Sequence, residues 1–220
     1  VKAAVDVLKQ CGAEPFIIPA MGSHGGMTAE GQRAVLEHLG VTEETVGAPV
    51  RSQMETVCVG LSENGPEVQM DKLAYEADFV VPVNRIKAHT DFRGKYESGL
   101  VKMLAIGVGK QHGASVCHGQ GFAKMSENVY QFGKKMIETG KVPFGVGVIE
   151  NESHRVCKAF AIPGDKILEE EPALLTYAKS RMPRLPFEEA DLLFVDQIGK
   201  DFSGTGMDTN VIGRSAVLGS

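Results

Sequence analysis

The 220-residue sequence predicts an α/β fold: a mixed sheet with flanking helices over residues 1–183, then a linker and the start of a second α/β lobe over 184–220. Three observations lead there. Short strand-like runs alternate with amphipathic helical stretches along most of the chain. Two glycine- and histidine-bearing loops each follow a strand-like run, where open α/β sheets place their ligands. The proline-marked "PRLPFEEA" then separates this pattern from a fresh apolar run, "DLLFVDQIG".

The elements are justified in order. "VKAAVDVLKQC" carries Val1, Val5 and Leu8 on one helical face and ends at Gly12. "EPFIIPA" reads as a strand and leads into the loop "MGSHGGMT". Thr28 is a candidate N-cap for the helix "AEGQRAVLEHLG", which Gly40 ends. "MDKLAYEAD" reads as a helix, and "FVVPVNRIK" as a strand whose proline marks an edge or bulge. "ESGLVKMLAIGVGK" is apolar with glycines near its ends, and its periodicity does not choose between helix and strand. Phe122, Met125, Val129, Phe132 and Met136 stand at helical spacing in "GFAKMSENVYQFGKKMIETG", a core-facing stripe. "VPFGVGVIENESHRVCKAFAIPG" reads as a hairpin turning near Asn151 and Glu152. "DKILEEEPALLTYAKSRM" is helical, and "DLLFVDQIG" is a strand.

Composition limits the function classes. The chain is 43% apolar with a formal net charge of −5, an ordinary globular balance that gives no basic footprint for nucleic acid. No apolar run approaches the roughly 20 residues that span a bilayer, so no membrane role is expected. Cys11, Cys58, Cys117 and Cys157 are scattered with no CxxC pair, which favours packed or surface thiols and a cytoplasmic location over a disulfide framework. The chain opens without Met inside a helical pattern and stops after a glycine-rich loop. It reads as an internal portion of a longer polypeptide.

Chemistry-bearing residues concentrate in three places. "PAMGSHGGMT" presents His24 between glycines that let backbone approach a ligand, although a solvated loop histidine is the bland alternative. "NRIKAHTDFRG" presents His89 with Arg85, Lys87, Asp91 and Arg93 nearby. Asp91 would either orient the imidazole or pair with Arg93. Imidazole titrates near neutral pH and suits proton transfer. In "SGLVKMLAIG", Lys102 lies among apolar residues: burial would lower its pKa and make it a nucleophile, unless the side chain snorkels to the surface. His112 and His118 follow it by 10 and 16 residues, and neutral imidazole suits nickel, zinc or copper. His38 and His154 read as surface residues.

Taken together, "MGSHGGMT", "IKAHTDF", "ESGLVK" and a histidine sixteen residues past the lysine resemble, in order, the motifs of the nickel-pincer lactate racemases, often called LarA-like. The resemblance runs from about Pro15 to Arg214 and implies a cofactor, the nickel-pincer nucleotide. This is a pyridinium mononucleotide with two sulfur arms, made by dedicated biosynthesis proteins. It implies that Lys102 carries the cofactor through a thioamide, that His118 completes square-planar nickel, and that Ser98 and Gly99 contact the nucleotide. His24 and His89 would be the acid–base residues of a racemase or epimerase acting on a small 2-hydroxy acid by hydride transfer.

The chain departs from that pattern in three places. Leu100 and Val101 replace a glycine and an arginine before the lysine. An N-terminal acid–arginine motif has no counterpart. "MDTNVIGR" has Gly213 where a glutamine is usual, leaving Arg214 as the cation for the substrate carboxylate, or else as a loop cap paired with Asp208. A substrate larger than lactate is the expectation. Two other functions stay open: a zinc hydrolase using His89, His112 and His118, and a non-catalytic nucleotide-binding homologue.

Overall fold

A computed structural model of the chain describes residues 1–121, 124–189, 191–199 and 206–213. Helix α1 (Lys2–Gln10) packs Val5 against Val46 and Ala48 in a small satellite cluster. The predicted strand "EPFIIPA" forms only an isolated parallel bridge, Ile17 with Val50, bonded through Pro49 and Arg51. Pro15, Pro19 and Pro49 lack the N–H groups a longer ladder would need. α2 (Ala29–His38) starts where expected: the Thr28 hydroxyl accepts the Gly31 N–H at 3.0 Å. A short α3 (Glu43–Val46) follows, closed by Gly47 at φ 73°.

An antiparallel hairpin then appears that periodicity did not reveal, β1 (Thr56–Leu61) with β2 (Glu67–Asp71). Asp71 ends β2 and caps the five-residue α4 (Lys72–Glu76), so the predicted helix is shorter and its first residues are strand. β3 (Val83–Arg85) is an edge strand after Pro82. The apolar segment resolves as helix: α5 (Leu100–Lys102) continues without a break into a π-helical turn, Met103–Gly107. Next come α6 (Lys110–Gly119), α7 (Met125–Glu138), β4 (Phe144–Glu150), β5 (Val156–Pro163) and α8 (Ile167–Ser180). A one-turn α9 (Thr209–Ile212) lies near the end.

β4 pairs in parallel with β3 and antiparallel with β5, giving the mixed three-stranded sheet β3-β4-β5. A parallel pair needs a crossover, and α5, α6 and α7 supply it. The β4–β5 turn falls near Asn151 as expected, and the Asn151 side chain holds it by accepting the N–H groups of Ser153 and Arg155. Met125, Val129, Phe132 and Met136 of α7 are buried in the main core with Leu100, Val101 and Leu104. Gly133 lets the helices meet, since a Cβ there would lie 2.5 Å from Val101 Cγ1.

"DLLFVDQIG" is not a strand. Among the described residues none runs beside it, and Leu192, Phe194 and Ile198 are exposed. No helix among the described residues is long and apolar enough to cross a membrane.

Candidate active site

Lys102 sits where α5 gives way to the wider π-helical turn, in which the Val108 N–H reaches back five residues to the Met103 carbonyl. Such turns recur at functional sites because they push one residue out of helical register. Gly107 ends the turn, and a Cβ there would lie 2.6 Å from the Ala20 carbonyl oxygen. The His24 loop is thereby seated against the lysine helix, with the Gly22 N–H donating to the Gly107 carbonyl at 3.2 Å.

Four predicted residues share one electrostatic neighbourhood. Burial lowers the Lys102 amine to about 8, opposed by Asp91 and reinforced by Lys87. Its ammonium lies 5.6 Å from the Phe92 ring centroid, within cation–π range. The same ring packs against His89, centroids 4.2 Å apart. Burial, then the Lys102, Lys87 and Arg93 charges, pushes His89 down to about 3, and His118 adds to this. His118, on the C-terminal part of α6, is also lowered, first by burial and then by Lys102 and His24. Cys117, buried beside them, is pushed up to about 12 by burial and is no nucleophile.

The two loop histidines are held in opposite tautomers. His24 Nδ1 lies 2.9 Å from the Met21 carbonyl, an acceptor only, so Nδ1 carries the proton and Nε2 the lone pair. His89 Nδ1 accepts the Asp91 backbone N–H at 3.1 Å, so Nε2 carries the proton. It is thus the Asp91 backbone that orients His89, while Arg93 donates to the His89 carbonyl at 2.6 Å instead of pairing with Asp91. Buried Glu97 accepts the His89 N–H at 2.8 Å and is itself paired with Lys179. From α9, the Asn210 side chain donates to the His89 carbonyl at 3.0 Å, and the Thr209 hydroxyl donates to the Thr90 carbonyl.

Ser98 and Gly99 precede Lys102, but their surroundings are already engaged. Ser98 exchanges backbone bonds with Lys87, and the Gly99 carbonyl accepts from Asn84. The free N–H groups at the start of α5, those of Leu100 and Val101, donate to the Glu171 carboxylate at 2.6 and 3.1 Å. Burial pushes Glu171 up to about 7 despite those bonds. Gly99 is explained by this contact: a Cβ would lie 2.6 Å from the carboxylate. The anion-attracting end of the lysine helix is filled by the protein itself.

His112 does not join the site. Its Nδ1 lies 3.2 Å from the Thr56 hydroxyl on β1, and six helical residues put it about 120° around α6 from His118. Among the described residues no group of three His, Cys, Asp or Glu side chains could hold a metal ion, so the three-histidine zinc set is not assembled. Arg214 lies outside the described residues. Gly213 closes α9 at φ 72°, a helix-stop reason for glycine independent of substrate room. A shallow cleft of about 420 Å³ beside Tyr96, Tyr130 and Leu168 contains none of the four site residues.

Sequence reasoning missed Phe92, Glu97, Glu171, Thr209 and Asn210. A glutamate immediately before the Ser-Gly-x-x-Lys motif was the only local signal. The others act through contacts across up to 121 positions of chain.

Loops that deliver two histidines, and consecutive helices that deliver a lysine and a third, define an α/β protein with a lysine-centred, histidine-ringed site. This chain belongs to the lactate racemase N-terminal domain family, whose description matches residues 1–129. A solved structure, the lactate racemase apoprotein from Thermoanaerobacterium thermosaccharolyticum, shares the fold with a TM-score of 0.59 at 17% identity, covering 79% of this chain. The chain spans about 45% of that relative's length. Among curated proteins none matches.

Proposed function

We propose that this chain is the cofactor-bearing part of a 2-hydroxy-acid racemase or epimerase, with Lys102 as the attachment point. The observation that carries the reading is a largely buried amine lowered to about 8 beside His89 and His118, with His24 next to the latter. Near neutral pH a usable fraction of such an amine is neutral and nucleophilic.

The donor set fits a nickel-pincer nucleotide. His118 lies beside that amine and offers an imidazole of the kind that suits nickel. When bound, the cofactor supplies a reversible hydride acceptor. Lys102 would hold it through an amide-type bond to its nitrogen, which removes the ammonium charge now facing His89 and His118. Because Glu171 occupies the helix N-terminus and packs against Gly99, the nucleotide phosphate would fall to the Ser98 hydroxyl and the exposed Lys87 and Arg93.

His24 would accept the substrate hydroxyl proton at Nε2 and return it from the imidazolium as product forms, while neutral His89 would hydrogen-bond the substrate oxygen through Nε2–H and keep that proton. For the opposite enantiomer His89 must present a lone pair, which requires giving up the Asp91 bond. Arg214 remains our candidate for the substrate carboxylate, through a bidentate grip. Loading would depend on cofactor-making enzymes, and a cytoplasmic setting suits the nickel chemistry and the free thiols.

The test is intact-mass and nickel analysis of the full-length protein coexpressed with those enzymes. Wild type should gain several hundred daltons and one nickel. Lys102→Ala should lose the covalent mass, and His118→Ala should mainly lose nickel. An adduct at full yield in Lys102→Ala would end the assignment, and an unmodified wild type under loading conditions would favour the non-catalytic reading.

A further inference from the structure

Lys110 has no part in the chemistry above, yet it is 0% exposed and among the largest fully buried side chains of the described residues. It opens α6 at φ 55°, a left-handed conformation that costs a residue with a Cβ and persists only where its surroundings demand it. Its ammonium meets three acceptors: the Pro19 carbonyl at 2.7 Å, Gln32 Oε1 at 3.2 Å and Asp71 Oδ2 at 3.0 Å. Gln32, also 0% exposed, turns its amide N–H groups to the Gly22 carbonyl at 2.8 Å and the His24 carbonyl at 3.2 Å. Pro19 opens the histidine loop, and Gly22 and His24 lie at its centre. One buried cation therefore grips that loop directly at its start and through Gln32 at its centre, from the helix that carries His118.

Burying such a pair is a poor way to gain stability, since well-packed apolar residues do as well or better. What it supplies is direction. Glutamine can donate to two carbonyls only in one orientation, and Lys110 fixes that orientation by donating to the amide oxygen. The loop so held contains Met21, whose carbonyl sets the His24 tautomer.

We propose that Lys110 and Gln32 are positioning residues that lock the His24 loop onto the His118 helix and so keep His24 Nε2 as the base. The inference rests on the proton-transfer role of His24. Asp71 completes the network as counter-charge, itself held by the Leu73 N–H and the Gln53 side chain.

The test uses nitrogen-15 histidine NMR on the full-length, unloaded protein at a pH where the rings are neutral. Wild-type His24 should report Nδ1–H and His89 should report Nε2–H. Gln32→Met, of similar shape, removes both donors to the loop. Lys110→Met with Asp71→Asn removes the grip without stranding a buried charge. In either variant His24 should shift toward Nε2–H, while the His89 signature stays and certifies the fold. After loading, kcat should fall on the order of 10- to 100-fold, with KM changing far less. A folded variant with the His89 signature intact and His24 still Nδ1–H would overturn the proposal. Absence of racemase activity in wild type would strike the functional reading instead, leaving the tautomer result to decide this one.

Discussion

His89 shows what a single side chain can disclose. Held near 3 in the fold and near 6.5 when unfolded, it binds more protons in the unfolded chain between those values. The stability linked to its neutral form is present above about pH 6.5 and drains away as pH falls toward 3. Urea unfolding of wild type and His89→Gln at pH 7 and pH 4 should therefore show the gap moving in the variant's favour by about 1–2 kcal/mol at the lower pH, a figure reduced for solvent screening of a partly exposed ring. An unchanged gap would mean that the ring is not desolvated. The histidines and Lys102 were legible in the sequence because their chemistry is carried by residue type. Gln32 and Lys110 were not, because a glutamine on an amphipathic helix and a lysine after a glycine look like solvated surface until the fold places them together.

For the lysine helix, start and stop are both set from outside. Glu171 of α8 caps its first N–H groups, and Gly99 exists to admit that carboxylate. Gly99→Ala should displace Glu171 and destabilise the protein by about 2–3 kcal/mol, and Glu171→Ala should cost a similar amount by stranding two buried N–H groups. In the double variant nothing is left to collide, so thermal or urea unfolding should give a sum clearly below additive. Full additivity would show the two positions to be independent. Period counting resolved the long amphipathic helices α7 and α8 and the β4–β5 hairpin, where one face is plainly apolar. It failed for β1 and β2, for which "TVCVGL" and "EVQMD" mix small and polar residues on a half-buried hairpin, and for "EPFIIPA", where prolines cut the ladder to one bridge.

The whole molecule links distant stretches of chain at one loop. The division expected at residue 183 falls at the proline-marked linker, yet Thr209 and Asn210 reach back to the carbonyls of Thr90 and His89. Asn210→Leu should leave global stability within about 1 kcal/mol, because its partner carbonyl keeps the Arg93 bond. It should also speed amide exchange at residues 89–92 several-fold, read by hydrogen-exchange mass spectrometry. Exchange unchanged in that segment would show the docking to be idle. The docking has a meaning for inheritance as well as for catalysis. A gene cut at the linker separates two stretches that look like exchangeable parts, but the histidine on one side is held in place by a threonine and an asparagine on the other. Swapping the later part between relatives would transplant half of a latch, so recombination should succeed only when the residues meeting Thr90 and His89 travel with the loop they close.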